Sequence, residues 1–147
     1  MRKAKKSLAV AAALALGLTL PVAWSQKENA AAPTKDNSVY AELSKAPKKA
    51  VERRNPLERD PDAVAAGANL FAQHCVECHG ETAEGGRKGP SLRAAEVQRA
   101  TPGTLFWILT NGVVRRGMPV WSKLPEPQRW QIVSYLKSLG PPKNSTN

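Results

Sequence analysis

Cys75-Val76-Glu77-Cys78-His79 is the stretch that decides how the rest of the chain is interpreted. The spacing Cys-x-x-Cys-His is the attachment pattern of c-type haem. Two thiols one helical turn apart can each add to a vinyl group of a porphyrin, and the histidine that follows is then placed to bind the iron. The stretch therefore predicts one covalently attached haem, bound at Cys75 and Cys78, with His79 as an iron ligand.

Three other interpretations of this stretch remain open from the residues alone. A structural zinc site normally takes four Cys or His ligands, and the two Cys and two His of this chain are crowded into residues 74–79. A thioredoxin-like redox motif requires a βαβ setting, whereas the surrounding pattern is helical. A disulfide between Cys75 and Cys78 would close a very small loop and would leave His79 without a role.

The N-terminus has the pattern of an export signal. Residues 2–6 carry four Lys or Arg, residues 8–23 are apolar, and residues 23–25 offer the small side chains that a signal peptidase reads. The alternative is an uncleaved anchor, but this apolar segment is shorter than the roughly 20 residues needed to span a bilayer. We predict a signal peptide over residues 1–25 and a periplasmic location in a Gram-negative bacterium, because c-type haem is attached after export.

The formal net charge of +10 is unevenly distributed. Four of the 22 basic residues lie in the leader, which has no acid, so residues 26–147 keep 18 basic against 12 acidic residues. No basic run with interleaved aromatic residues is present, so the sequence gives no support for a nucleic-acid partner. An aromatic content of 5% indicates a small apolar core, to which a buried haem would add apolar volume.

The chain divides at two changes of composition. Residues 26–60 are rich in Ala, Lys and Pro and predict a flexible extension, because they cannot bury enough apolar surface to offset their ordering entropy. Residues 61–141 carry the helical patterns and form the predicted monohaem domain. The run Gly140-Pro141-Pro142 ends that domain, and residues 142–147 are predicted to be a disordered tail.

Three main helices are predicted in the haem domain, over residues 61–74, 102–111 and 126–139, with a short helix over 94–99. The first has an apolar stripe that includes Gly67 and Phe71. The last carries Tyr135 on its apolar stripe, where a large ring can press on Gly67. No strand-like alternation of useful length is present, so the predicted fold class is all-α.

Met118 is the candidate for a second iron ligand. His74 is expected to point away from the side of the helix that His79 occupies, because adjacent helical residues do not share a face. Met118 lies in the irregular Gly117-Met118-Pro119 segment and is the one methionine other than Met1. The alternative is a core methionine. A thioether ligand stabilises ferrous iron and raises the reduction potential, and it leaves no open position for O₂ or peroxide.

In combination, these motifs resemble those of the class I cytochromes c, over about residues 61–139. Five elements match in order along the chain: Gly67 and Phe71, Cys75 to His79, Gly89-Pro90-Ser91-Leu92, Gly117-Met118-Pro119, and Ile132 with Tyr135 and Leu136. The segment between Gly89 and Met118 is shorter than in the mitochondrial carriers, so the chain is similar to the compact bacterial members.

The resemblance implies a fold in which the first and last helices cross near-perpendicularly at Gly67 and helices and loops enclose the haem. It implies that the Pro90 carbonyl accepts the Nδ1–H of the proximal histidine, a bond that orients the ring. Leu92 is expected to pack on the porphyrin. Trp121 is similar to aromatic residues that line the pocket near the propionates, with a plain core role as the alternative.

The function that the resemblance implies is a periplasmic one-electron carrier with His79/Met118 ligation rather than an enzyme. Its expected partners are redox proteins: a periplasmic dehydrogenase, an oxidase or another cytochrome. Membrane association is expected only if the leader is uncleaved. The main alternative is a dedicated cytochrome c subunit of a periplasmic dehydrogenase or oxidase complex. An enzyme or gas sensor is disfavoured, since no third His is available for distal acid–base chemistry.

Overall fold

The computed structural model describes residues 39–140, which are helical. Over that range no strand is formed, and the one β-type pairing is an isolated antiparallel bridge between Val113 and Met118. The all-α prediction is confirmed. We number the helices η1 (Ala41–Lys45), α1 (Lys48–Val51), α2 (Pro61–His74), α3 (Val76–His79), α4 (Ala95–Arg99), α5 (Pro102–Asn111), η2 (Val114–Arg116) and α6 (Glu126–Ser138), where η marks a 3₁₀ helix.

The predicted leader over residues 1–25 and the predicted tail over 142–147 lie outside the described residues. None of the helices in the described range is both long and apolar enough to cross a membrane.

Side-chain hydrogen bonds cap the N-termini of α2 and α5 and so determine where these two helices begin. Asp60 Oδ1 accepts the backbone N–H of Asp62 at 2.9 Å and that of Ala63 at 3.3 Å, at the start of α2. Thr101 Oγ1 accepts the N–H of Thr104 at 3.2 Å, at the start of α5. Each cap satisfies backbone donors that a helix N-terminus leaves unpaired. The predicted bounds of α2 and α5 are confirmed, and those of α4 and α6 differ by one residue.

The two longest helices, α2 and α6, meet at Gly67. A Cβ atom on Gly67 would lie 2.0 Å from the backbone oxygen of Gln131 and 2.9 Å from Cβ of Tyr135. The predicted contact with Tyr135 is therefore present, but the tighter neighbour is the α6 backbone itself. One turn after Gly67 along α2, the ring centroid of Phe71 lies 5.2 Å from that of Tyr135. Glycine is required here because any side chain would separate the helices.

The buried face of α6 is wider than the stripe that the sequence predicted. Ile132 and Leu136 are buried as expected, but Trp130 and Val133 are buried as well. Trp130 stacks on Phe106 of α5, with ring centroids 4.0 Å apart and an interplanar angle of 23°. This stacking joins α5 to α6, and both rings belong to the buried core. The burial of Trp130 was not predicted, because the sequence pattern was followed only along the stripe that contains Ile132, Tyr135 and Leu136.

The prediction of a flexible extension over residues 26–60 is wrong for the described part, 39–60. We call residues 39–55 the strap. Its α1 backbone packs directly on α5, where a Cβ on Gly103 would lie only 2.0 Å from the carbonyl oxygen of Ala50. The hydroxyl of Thr101 donates to the carbonyl oxygen of Val51 at 2.9 Å. The strap therefore belongs to the folded domain.

Polar side chains hold the end of the strap, which is why its composition was misleading. Arg53 Nη2 donates to Glu126 Oε1 at 2.7 Å, while the Arg53 guanidinium lies 4.5 Å from the centroid of the Phe106 ring. The buried Asn55 donates from Nδ2 to Ser134 Oγ at 2.8 Å. A segment of low apolar content can still dock through backbone contacts, a cation–π contact and amide hydrogen bonds.

We predict that Gly67→Ala lowers the free energy of unfolding by about 1–3 kcal/mol, because the added methyl group overpacks the helix crossing. Gly86→Ala is the matched control, since nothing lies within 4 Å of a Cβ placed there. Denaturant unfolding of both variants measures the difference. Equal stability of the two variants would contradict the assignment of Gly67 as the contact between α2 and α6.

Candidate functional site

The end of α2 and the single turn of α3 position the Cys-x-x-Cys-His residues. The N–H of Cys75 donates to the carbonyl of Phe71 at 2.8 Å, and the N–H of His79 donates to the carbonyl of Cys75 at 3.0 Å. Residues three and four apart on a helix share a face, so Cys75, Cys78 and His79 are directed to the same side. Both thiols are free and half-buried.

Burial raises the pKa of the Cys75 thiol to about 11, with a further contribution from the neighbouring Cys78. A thiol with so high a pKa stays protonated at neutral pH. Redox-active Cys-x-x-Cys motifs require the opposite, a lowered thiol pKa. The environment of Cys75 therefore argues against the thioredoxin-like interpretation.

The zinc interpretation also lacks support in the described part of the chain. Over residues 39–140 no group of three or more His, Cys, Asp or Glu side chains is placed to hold a metal ion. The two Cys and two His side chains of residues 74–79 are therefore not arranged to bind one metal ion together.

The ring of His79 is oriented by the loop that follows it. Nδ1 lies 2.9 Å from the carbonyl oxygen of Pro90, and because a carbonyl can only accept, Nδ1 carries the proton and Nε2 carries the lone pair. Burial lowers the pKa of His79, although the bond to Pro90 opposes this shift. A neutral imidazole with a free Nε2 is the form that binds iron.

Gly89 lets the Pro90 loop come close enough for that bond. A Cβ on Gly89 would lie 3.0 Å from the carbonyl oxygen of Cys78 and 3.2 Å from the His79 ring. The loop is held from its other side by the N–H of Leu92, which donates to the carbonyl of Ala83 at 2.8 Å. The chain is therefore positioned on both sides of Pro90, by the close approach of Gly89 to α3 and by the hydrogen bond of Leu92.

Met118 is presented by a tight turn after α5. Val113 and Met118 exchange backbone hydrogen bonds of 3.0 and 3.2 Å, and the intervening turn includes Gly117 in the left-handed conformation with φ of 86°. Glycine adopts this conformation without the steric cost that other residues meet. The N–H of Trp121 then donates to the carbonyl of Leu109 at 3.0 Å, which returns the chain to α5.

One cavity of about 670 Å³ brings the predicted site residues together. Its walls are largely apolar and include side chains from α2, α5 and α6. All seven predicted residues line it: Cys75, Cys78, His79, Pro90, Leu92, Met118 and Trp121. The volume falls within the roughly 300–1,000 Å³ of ligand and cofactor pockets. An apolar chamber with two thiols and an oriented imidazole at its wall fits a covalently attached haem.

Two parts of the wall differ from expectation. His74 was predicted to point away, but it also lines the cavity, where its ring lies 5.3 Å from that of Trp121. The strap contributes Val39, Tyr40 and Leu43 to the same wall. Nothing in the sequence motif indicated these strap residues, although the apolar character of Tyr40 and Leu43 in a polar segment was a signal that they pack.

The rim of the cavity carries more cations than anions. Glu42, Glu77, Arg87, Lys88 and Arg116 line it. Lys88 Nζ donates to Glu77 Oε1 at 2.7 Å, and this bond lowers the pKa of Glu77 and raises that of Lys88. One of the rim's three cations is therefore already paired with one of its two acids.

Comparison with known proteins agrees with this geometry. A family model described as cytochrome c oxidase, cbb3-type, subunit III matches residues 62–136, from the first turn of α2 to near the end of α6. The chain belongs to this family of class I c-type cytochromes. Because the family binds covalent haem c and this chain has a single Cys75/Cys78 pair, its cofactor is one haem c.

Individual relatives support the same assignment. Cytochrome c550 of Pseudomonas aeruginosa is 32% identical over 90 residues, which cover 58% of this chain and 62% of that protein. The cbb3-type oxidase subunit FixP of a Bradyrhizobium strain is 37% identical over 90 residues, covering 58% and 30% respectively. The structure of cytochrome cL from Methylophaga aminisulfidivorans superposes with a TM-score of 0.52 and 28% identity, over 59% of each chain. The chain thus spans less than two thirds of each of these relatives.

We predict that Cys75→Ser combined with Cys78→Ser abolishes covalent haem attachment, because no other thiol is present. Mass spectrometry of the denatured protein, produced in the periplasm of an expression host, is the measurement, and wild type is expected to retain the mass of one haem. His74→Ala is the control: it alters the adjacent residue and the cavity wall but leaves both thiols, so it should keep the haem. Covalent haem in the double serine variant would contradict the assignment.

Proposed function

We propose that this protein is a one-electron carrier of the periplasm, in which haem c is held by Cys75 and Cys78 and ligated by His79 and Met118. The observation that carries the proposal is the shared cavity, which receives both thiols, the imidazole and the thioether. When bound, the haem supplies the Fe(II)/Fe(III) couple. The export pattern of residues 1–25 supports the location.

The seven residues divide the binding of the haem among them in this proposal. Cys75 and Cys78 anchor the group covalently, and His79 offers Nε2 while its Nδ1–H is held by the Pro90 carbonyl. That hydrogen bond orients the ring and increases its basicity as a ligand. Met118 offers its sulfur, while Leu92 and Trp121 form apolar walls that exclude water.

Ligation by His79 and Met118 also favours a carrier over an enzyme. If His79 and Met118 both bound the iron, the chain would leave no ligand position open for O₂ or peroxide. His74, the one other histidine, packs on Trp121 and is the neighbour of a haem-attachment cysteine. A carrier needs few structural changes between its two oxidation states, and a rigid turn at Met118 meets that need.

A second candidate function is a cytochrome subunit of a larger redox complex. The observation that favours it is the set of relatives named as cbb3-type oxidase subunits, from Rubrivivax gelatinosus, Bradyrhizobium and Azospirillum. Purification of the native protein from its own membranes and periplasm distinguishes the two. Stable co-purification with an oxidase or dehydrogenase supports the subunit, and a free monomer supports the carrier.

We predict that Met118→Ala removes the Met–iron absorption band of the ferric protein and lowers the reduction potential, because a thioether ligand favours ferrous iron. Absorption spectra and a redox titration of the exported protein measure both effects. Val120→Ala, at an exposed position two residues away, is the control and should leave both unchanged. Survival of the band in Met118→Ala would refute the axial assignment.

We further predict that oxidation of the ferrous protein by hexacyanoferrate(III) slows as ionic strength rises from about 10 mM to about 150 mM. The cationic rim attracts an anionic oxidant, and salt screens that attraction over a distance of about 8–10 Å. Arg87→Gln should weaken the dependence. Stopped-flow mixing measures the oxidation rate with hexacyanoferrate(III) and, as the comparison, with a cationic cobalt(III) complex, for which the rate should rise with ionic strength. A flat salt dependence with both reagents would exclude steering by the rim.

A further inference from the structure

The strap contacts both loops that carry candidate iron ligands. Tyr40 and Glu42 line the same cavity as His79 and Met118. Tyr40 reaches the loop that includes Pro90, and Glu42 reaches the turn that precedes Met118. One short segment, residues 39–46, therefore contacts both the loop that includes Pro90 and the turn that precedes Met118.

The hydroxyl of Tyr40 donates to the carbonyl oxygen of Ser91 at 2.9 Å, across 51 residues of chain. This carbonyl belongs to the residue next to Pro90, whose own carbonyl accepts the His79 Nδ1–H. The two carbonyls lie on consecutive residues. A bond that fixes the Ser91 carbonyl therefore restricts rotation of the backbone that presents the Pro90 carbonyl to His79.

The carboxylate of Glu42 makes the second connection. Its Oε1 accepts from Lys45 Nζ at 2.6 Å and lies 3.6 Å from Nη2 of Arg115. Arg115 is in η2, three residues before Met118. The Glu42 side chain is only 20% exposed, whereas that of Arg115 is 84% exposed, so the strap provides the more buried partner of this ion pair.

The strap is itself anchored well enough to act as a support. Leu43 packs against the apolar core, and the backbone of Ala50 touches α5 at Gly103. Val51 accepts the hydroxyl of Thr101. The contacts of Ala50 and Val51 are made to α5 and its N-cap, and neither residue lines the cavity. The strap is therefore also held by contacts that do not involve either ligand loop.

We propose that residues 39–46 are a brace for both axial ligands, in which Tyr40 positions His79 through Ser91 and Pro90, and Glu42 positions Met118 through Arg115. This inference rests on the proposed His79/Met118 ligation. Tyr40 and Glu42 are positioning residues, since each acts through the loop that carries a ligand. The brace explains why a polar segment is folded over the cavity although the Cys-x-x-Cys-His motif needs no such segment.

Tyr40→Phe tests the connection to His79, because it removes the hydroxyl and keeps the ring in the cavity wall. Tyr135→Phe is the matched control, since Tyr135 is the other tyrosine of the chain and does not line the cavity. We expect solvent exchange of the His79 Nδ1 proton, followed by NMR of the ferrous holoprotein, to become about fivefold faster in Tyr40→Phe, the effect of losing one ordinary hydrogen bond. The reduction potential should shift upward, because a weaker Nδ1 hydrogen bond makes the imidazole a less basic ligand.

Glu42→Gln tests the connection to Met118. Added imidazole displaces a methionine ligand from ferric iron, and loss of the Met–iron band reports the displacement. We expect imidazole to bind about twofold more tightly in Glu42→Gln, the small effect of a partly exposed ion pair. Glu52→Gln is the control, since Glu52 pairs with Lys48 at 3.8 Å on the strap but does not line the cavity.

The brace is refuted if either variant behaves like its control. The proposed function fails separately, if wild-type protein lacks the Met–iron band. In that event the exchange of the His79 proton still tests the connection through Tyr40, because that readout does not require Met118. Thermal unfolding is measured alongside: loss of stability without a change in proton exchange or imidazole affinity would show a purely structural strap and overturn the proposal.

Discussion

The close approach of α2 and α6 at Gly67 is the constraint on which the remaining geometry depends. A Cβ on Gly67 would lie only 2.0 Å from the Gln131 carbonyl oxygen, so the two helices touch backbone to backbone. The end of α2 leads into the Cys-x-x-Cys-His turn, while α6 contributes Ile132 and Leu136 to the wall of the same chamber. The helix crossing therefore determines where the two thiols and His79 lie relative to the apolar chamber that receives the haem.

The loops around the chamber are held by hydrogen bonds as well as by apolar packing, since Leu92, Met118 and Trp121 pack against the core. The bond from His79 to Pro90, the Val113–Met118 pairing and the contact of Trp121 with α5 each fix one side of the chamber. The strap adds another wall and ties the two ligand loops to α5. Positioning by many modest contacts suits electron transfer, because a centre that keeps its ligands in both oxidation states has little to rearrange.

The helices and the site motif could be predicted from the sequence because their signals are local. Asp60 and Thr101 are capping residues next to prolines, and the spacing of Cys75, Cys78 and His79 is a chemical requirement. The strap could not be predicted in this way. Its packing depends on Gly103, Thr101 and α6, which lie about 50 or more residues later in the chain, and composition carries no information about such distant partners. The role of Trp130 was missed for a related reason, since its stacking partner lies on another helix.

X-ray absorption at the iron edge of the exported protein, measured in the ferrous and the ferric state, tests the central claim most directly. The account predicts one sulfur and five nitrogen neighbours of iron in both states, with little change in the iron–sulfur distance. The sulfur is that of Met118, since both cysteine sulfurs are bonded to the porphyrin. Absence of the sulfur in either state, or a five-coordinate iron, would contradict a His79/Met118 electron-transfer centre.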